Sequence, residues 1–530
     1  MKRNIFNVSI RLLCWMIPML IVSGCDLTRK PTSVIPLDES LLNYSDAVRW
    51  NRGIYTQFRN RQGGTFVTPQ EIMGDLLNAS ADFANRGGFL HGWVDLTPSQ
   101  EDYGTMWRLY YSTMKNINKT LSGYDTVRED IKSNLSKTSD KKEISKYEKQ
   151  LEDIDRFEGE SHFARAYYYF CLMQRFGMPY NAATASTDNG VPIVLVFDVG
   201  DQVRRASVKE CYDQIFKDLN DAESKLSVTP NRKESEVFTP DCITALRARI
   251  YLEMKEYEKA YAEADKLISS GRYPLVKPEK KSFEDMWRHD TSTEFIMLLP
   301  LRKGEEKANS MGSYYGLNPS EKYHTPDWLP TKGFISKFSD QDLRVPVYFE
   351  SGNTVYFNNK RYSGVTIISK FKGNPAFATE TNPTYGGLVP NGQQRPKVFR
   401  IPEQYLIKAE AAYRIGKDAL TPLNALRVSR GLDALKDDLS GEKLLQEIKD
   451  ERLRELALEG FRLFDLRRWG DPMIRMPHQV AADGDASFIT LDEAYVKLVR
   501  DAKDPKFVFP VPQHEINVYG KENMPQNPGW

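Results

Sequence analysis

Residues able to do chemistry are sparse in this chain of 530, and their spacing excludes more than it offers. The six histidines, His91, His162, His289, His324, His478 and His514, nowhere form a zinc motif, and HExxH is missing. There is no GxSxG turn for a nucleophilic serine, no Walker phosphate loop and no GxGxxG. Glu451, Glu455 and Glu459 recur every four residues, on one stripe of a helix, where carboxylates could bind metal or move protons. Arg454, Arg452 and Arg462 each stand three residues from one of them, so ion pairing and a structural role are the expectation. Asp483-Gly484-Asp485 offers oxygens to calcium, yet two aspartates around a glycine more commonly make a turn. A glycosidase needs two carboxylates but no local motif, and nothing singles out such a pair. No cofactor and no metal are expected.

Composition narrows the class further. Lys plus Arg is 73 against 72 Asp plus Glu, without the basic excess of a nucleic-acid binder. Hydrophobic residues at 40% and charged ones at 27% describe a folded chain, and aromatics at 12% are abundant. The N-terminus carries Lys2, Arg3 and Arg11, an apolar run from about Leu12 to Val22, and then Val22-Ser23-Gly24-Cys25. The run is too short for a membrane span, and the small residues before Cys25 resemble a bacterial lipobox. Cleavage before Cys25 would leave acyl chains on that residue as the only membrane attachment, and several chains hold far better than one. The displayed chain would then carry 70 bases and 72 acids. Cys171, Cys211 and Cys242 fall in apolar helical stretches and are expected to be core thiols.

These residues must be positioned by elements that are mostly helical. Met106, Leu109, Tyr110, Met114, Ile117 and Leu121 make one helical face, and Val208, Cys211, Tyr212, Ile215, Leu219, Ala222 and Leu226 another. The charged stretch 128–149 is expected to be a solvated loop or a helix start. In residues 239–274, Ala248, Tyr251, Tyr257 and Ala260, with a closing Pro274, fall at tetratricopeptide offsets. Ala164 and Tyr167 repeat the small-x-x-Tyr step, and a weaker unit starts at Tyr405 with Ala409, Ala412, Gly416 and Ala425. The expected fold is therefore mostly α, a tetratricopeptide-type superhelix. Its parts would be a leader at 1–24, a lipidated tether at 25–38, helical regions at 39–298 and 401–530, and a loop-rich insertion at 299–400. That insertion carries strand-like runs at Thr354–Phe357 and Val365–Ile368, and insertions of this length are often functional.

Residues 451–470 read ERLRELALEGFRLFDLRRWG, and the chain ends in QNPGW. Together they resemble the C-terminal signature of the SusD/RagB family of surface lipoproteins. Other segments agree in order: Gly74-Asp75, Trp107-x-x-Tyr110 with Ile117-Asn118, Arg165-Ala166-Tyr167, Phe176-Gly177-x-Pro179 and Gly190-Val191-Pro192. Asp218-Leu219, Asp342-Leu343-Arg344 and residues 405–411 follow. The resemblance implies a binding protein, not an enzyme. It implies a glycan partner, or in some members a peptide, and a SusC-type TonB-dependent transporter in the outer membrane to which the ligand passes. It also implies a helical scaffold touching the transporter, with Gly460 allowing close packing and Trp469 plugging a helix end, and ligand on a face of loops.

Sugar rings present a C–H-rich face that packs on aromatic planes, while their hydroxyls need polar partners. In the family the rings come from the loop between the first helices and from the insertion. Here the first loop offers Trp93, with Arg86 and Asp95 as hydroxyl partners; the second offers Tyr314, Tyr315, Tyr323 and Trp328. Trp107 and Trp287 follow helical faces and are expected in the core. The expected function is capture of an oligo- or polysaccharide at the cell surface and its delivery to the transporter. Peptide capture, a lipid-anchored glycosidase and a ligand-free scaffold subunit are the alternatives.

Overall fold

Helix α1 (Tyr44–Asn60) starts where Asn43 and Asp46 cap one another, side chain to backbone in both directions. It leans on two long helices, α2 (Glu101–Leu135) and α3 (Lys141–Phe176), which form an antiparallel pair. The computed structural model describes residues 40–81, 83, 87–196, 203–308 and 311–530; the leader, Cys25, the tether and Arg86 lie outside them. The charged stretch 128–149, expected as a loop or helix start, is the tip of this hairpin. Its apolar residues are few because most of the tip faces water, and Arg128 crosses it to pair with Asp155 at 2.7 Å.

The remaining scaffold is stacked helix pairs: α4 (Val208–Leu226), α5 (Pro240–Glu253), α6 (Tyr257–Ser269), α8 (Ile401–Arg414), α9 (Leu420–Ser429), α10 (Gly441–Leu456) and α11 (Arg462–Trp469). A short helix, α7 (Lys280–Arg288), leads into the insertion. Small residues let the pairs approach: Ala248, Ala260 and Ala264 of α5 and α6 meet Ile407 and Ala411 of α8, all fully buried. Ala409 and Ala412, on the other side of α8, meet Leu423 and Ile448. This is the tetratricopeptide-type arrangement, although Ala425, expected in it, faces solvent. Cys171, Cys211 and Cys242 are free and buried.

The quoted sequence motifs prove to be partners of one another. Arg165 forks onto Asp218 at 2.9 and 2.6 Å and reaches Asn118 at 2.9 Å. Arg462 grips Asp75 at 2.9 and 2.7 Å. Asn527, in the terminal QNPGW, joins Arg205 at 2.9 Å to the carbonyls of Phe176 and Phe509. Gly460 adopts φ 91°, closed to most side chains, and its N–H donates to Glu71 at 2.6 Å.

Two expectations about this region need correction. Of the arginines spaced along the carboxylate stripe, only Arg454 pairs as expected, with Glu451 at 2.7 Å. Arg452 turns to Asp465 and Arg462 to Asp75, while Glu455 and Glu459 are held from across the fold by Arg430, Arg400, Arg344 and Lys370. Trp469 does not plug a helix end into the core. It is half-buried, and its Nε1 donates to Glu410 at 3.0 Å.

The insertion leaves and returns through paired strands, Phe295–Leu298 against Lys397–Arg400. It carries a four-stranded sheet in the order β1 (Leu317–Asn318), β2 (Tyr323–His324), β3 (Phe349–Phe357) and β4 (Lys360–Ile368). Asn358 and Asn359, at φ 49° and 61°, make the tight turn between β3 and β4. The inner face, with Val355, Phe357, Tyr362, Val365 and Ile367, buries against Phe488 and Ile489 in a small core of its own.

Candidate functional site

Strand alternation sends every second side chain of this sheet outward. Asn318 is opposite Tyr323, and Tyr356 is opposite Arg361. The parallel pairing of His324 with Val355, both buried, leaves Tyr323 and Tyr356 on the outer face. The two tyrosine rings stack at 4.9 Å between centroids with 29° between planes. The Arg361 guanidinium lies 5.1 Å above Tyr323 and pairs with Glu321 at 3.0 Å. Asn318 Nδ2 donates to the Tyr323 hydroxyl at 3.1 Å, and the Tyr356 hydroxyl donates to Asn359 at 3.2 Å. Both rings are half-buried. One row across four strands thus offers two apolar ring surfaces with a cation, a carboxylate and amides at their edges.

Of the rings expected from sequence, only Tyr323 belongs to this row. Trp93, Trp328, Tyr314 and Tyr315 are all 5% exposed or less, and the reading of them as open sugar platforms is corrected on that ground. Trp93 donates through Nε1 to Met73 O at 3.0 Å and meets the edge of Phe507. Trp328 is sealed between His91 and Phe83. Tyr314 packs on Phe371. Tyr315 lies beneath the sheet, its hydroxyl donating to Glu350 at 3.1 Å; burial, then the Glu350 charge, raise its pKa. Asp95 is exposed at φ 49°, and Arg86 lies outside the described residues. Replacing Trp93 with phenylalanine is therefore a stability experiment: it strands the Met73 carbonyl and is expected to cost about 1–2 kcal/mol in urea unfolding, with ligand affinity unchanged.

Tyr356, Arg361 and Glu321 escaped the sequence reading. The signal was alternation within Thr354–Phe357, which marks Tyr356 as outward once Val355 and Phe357 are inward. Other chemistry is muted. Burial lowers the pKa of His91 and His324, which leaves both imidazoles neutral near pH 7. His162, Asp218 and Asp221 gather ligand atoms within 4.8 Å, but Arg165 already occupies Asp218, and Lys217 holds Asp221 at 2.7 Å.

A tetratricopeptide-type scaffold bearing a separate strand-and-loop face defines a SusD-like fold. Residues 347–530 match the model described as "SusD family", and residues 54–252 match "Starch-binding associating with outer membrane". The chain belongs to the SusD family, whose members are binding proteins. SusD-like protein P38 of Formosa agariphila is 23% identical over 351 residues, which are 58% of this chain. The chain spans about 65% of that relative's length. A SusD superfamily protein from Bacteroides thetaiotaomicron has the same fold, with a TM-score of 0.69 at 21% identity, covering 92% of this chain and 100% of that one. A laminarin-binding SusD-like protein gives 0.65 at 20% identity, covering 92% and 100%.

Proposed function

We propose that this protein is a cell-surface lipoprotein that captures an oligo- or polysaccharide on the Tyr323–Tyr356 row and passes it to a SusC-type TonB-dependent transporter. The observation that carries the reading is the stacked, half-buried tyrosine pair edged by Arg361, Glu321 and Asn318. Aromatic planes take the C–H faces of sugars, and charged and amide groups at their rims take hydroxyls. The laminarin-binding relative, which shares this fold, supports a glycan over a peptide. Cys25 is the anchor, holding the chain on the outer membrane that the matching family description names.

Affinity electrophoresis and calorimetry against panels of glycans and of peptides test this reading. A glycan is expected to bind, and Tyr323→Ala to weaken it by about tenfold with an unchanged melting profile. Binding of peptides alone would replace the reading with peptide capture, and release of shorter sugars from the polysaccharides would turn it into an enzyme. Cys25→Ala is expected to release the protein from the outer membrane in cell fractionation.

A further inference from the structure

Beside the sheet lies a cleft of about 170 Å³, between residues 372–378 and 388–391, whose charge is one-sided. Arg288, at the end of α7, donates to Val347 O at 2.9 Å and Ser369 Oγ at 2.6 Å, and reaches Lys370 O at 3.4 Å. All these partners are neutral, and no carboxylate among the described residues pairs with it. Burial pushes its pKa down, yet a guanidinium keeps its charge. Lys372 faces Glu350 at 3.4 Å, a carboxylate that already accepts the Tyr315 hydroxyl. Glu284, on α7, lies 3.9 Å from Lys280. Glu350 and Glu284 both act on Arg288 through space, so Arg288, Lys372 and Lys280 share two acids.

The backbone holds this arrangement in place. Gly373 sits at φ 103°, where a side chain would begin 2.9 Å from Gln393 N. Gly392 N donates to Lys372 O at 3.1 Å and Asn374 N to Gln393 O at 2.8 Å, which pins the chain on either side of Gly373. The side-chain amides of Asn374 and Asn391 donate to Asp290 and Phe377 O and are uncharged, so the positive charge lining the cleft is that of Arg288 and Lys372. Leu388, 47% exposed, offers apolar contact at the rim. It ends the small hairpin whose Asn382 donates to Ser320 at 3.3 Å, three residues before Tyr323. The hairpin thereby connects the cleft to the tyrosine row.

We infer that this cleft takes the anionic substituent of a sugar residue, a uronate carboxylate or a sulfate ester, so that the ligand of the tyrosine row is an acidic glycan. The inference rests on the glycan reading above. The near-neutral charge of the whole chain does not oppose it, because recognition follows the local excess at Arg288 and Lys372.

The test is calorimetry with the lipid-free chain against glucuronate-, galacturonate- and mannuronate-containing oligosaccharides and sulfated ones, each beside its carboxyl-reduced or desulfated counterpart. At least one acidic form is expected to bind about tenfold or more tightly than its neutral counterpart, with the preference shrinking as salt rises. Whether carboxyl reduction or desulfation removes the preference identifies the anion. Lys372→Gln should abolish the preference at an unchanged melting temperature, and Lys372→Arg should retain it. Equal binding of acidic and neutral forms, or a preference that survives Lys372→Gln, overturns the acidic ligand while leaving glycan capture standing. Failure of every glycan to bind overturns both.

Discussion

Glu455→Gln is expected to lower the unfolding free energy by about 3–5 kcal/mol, the cost of breaking a buried ion pair from one side. Glu455 is 1% exposed and accepts from three arginines: Arg430 at 2.8 and 2.9 Å, Arg400 at 2.7 Å and Arg344 at 3.1 Å. Those arginines come from three places, the end of α9, the start of α8 and the insertion, so one carboxylate ties the repeat scaffold to the inserted segment. Glutamine keeps the shape but removes the charge. Arg344 would retain Asp342 and Glu451, Arg430 would retain Glu294 and Arg400 would retain Glu459, but Glu451 and Glu459 are shared with Arg454 and Lys370, so five buried cations would face four carboxylates. Urea unfolding at neutral pH measures the loss; a variant within about 1 kcal/mol of wild type would show that the network does not stabilise the fold.

The same carboxylates set a pH dependence. The guanidiniums around them outweigh the cost of burial, holding Glu451 at about 2 and Glu455 well below the usual carboxylate range. Both folded pKa values lie beneath the unfolded value of about 4.3, so their stabilisation is complete above that pH. It is lost as pH falls through about 4 towards 2, where the unfolded chain binds protons that the folded one refuses. Circular dichroism during acid titration is expected to show cooperative unfolding in that window, and Glu455→Gln should unfold at higher pH.

The scaffold was legible because its signals are local or self-pairing. Small residues at Ala248, Ala260, Ala409 and Ala412 fall at fixed helical offsets, and burial of those faces follows from the period alone. The motif arginines announced ion pairs, but their partners were misread wherever the acid lies far along the chain. Arg462 answers Asp75 across 387 residues, a distance over which spacing carries no information. The ligand face shows the same limit. Ring type and loop context do not separate Trp93, buried by a segment near residue 507, from Tyr356, turned outward by strand pairing. Exposure of a ring depends on which distant segment covers it, and register across the sheet, not composition, gathered Asn318, Tyr323, Tyr356 and Arg361.

Trp287→Ala is expected to be the most damaging single change to the link between scaffold and ligand face. The ring, 2% exposed on α7, has Lys370 Nζ at 4.4 Å, Lys397 Nζ at 5.1 Å and the Arg400 guanidinium at 5.4 Å from its centroid. It also meets the edges of Tyr348 and Phe371. Emptying a core site of this size costs about 3–5 kcal/mol, and the three buried cations would lose their shared ring as well. Burial has already lowered the Lys370 pKa to about 8, so this ammonium has little tolerance for a worse environment. Lys370, Phe371 and Lys372 are consecutive, and loss of the ring that braces the first two should shift the third. Phenylalanine should substitute far better. The indole Nε1 has no hydrogen-bond acceptor among the described residues, so Trp287→Phe removes an unpartnered donor and is expected to cost only about 1–2 kcal/mol. Unfolding free energy and glycan affinity, measured at a temperature where both variants are folded, separate the two effects. Trp287→Ala should lose both stability and affinity, whereas Trp287→Phe should keep the affinity. Wild-type affinity in a folded Trp287→Ala protein would mean that the ligand face is held by its own sheet and not by this ring.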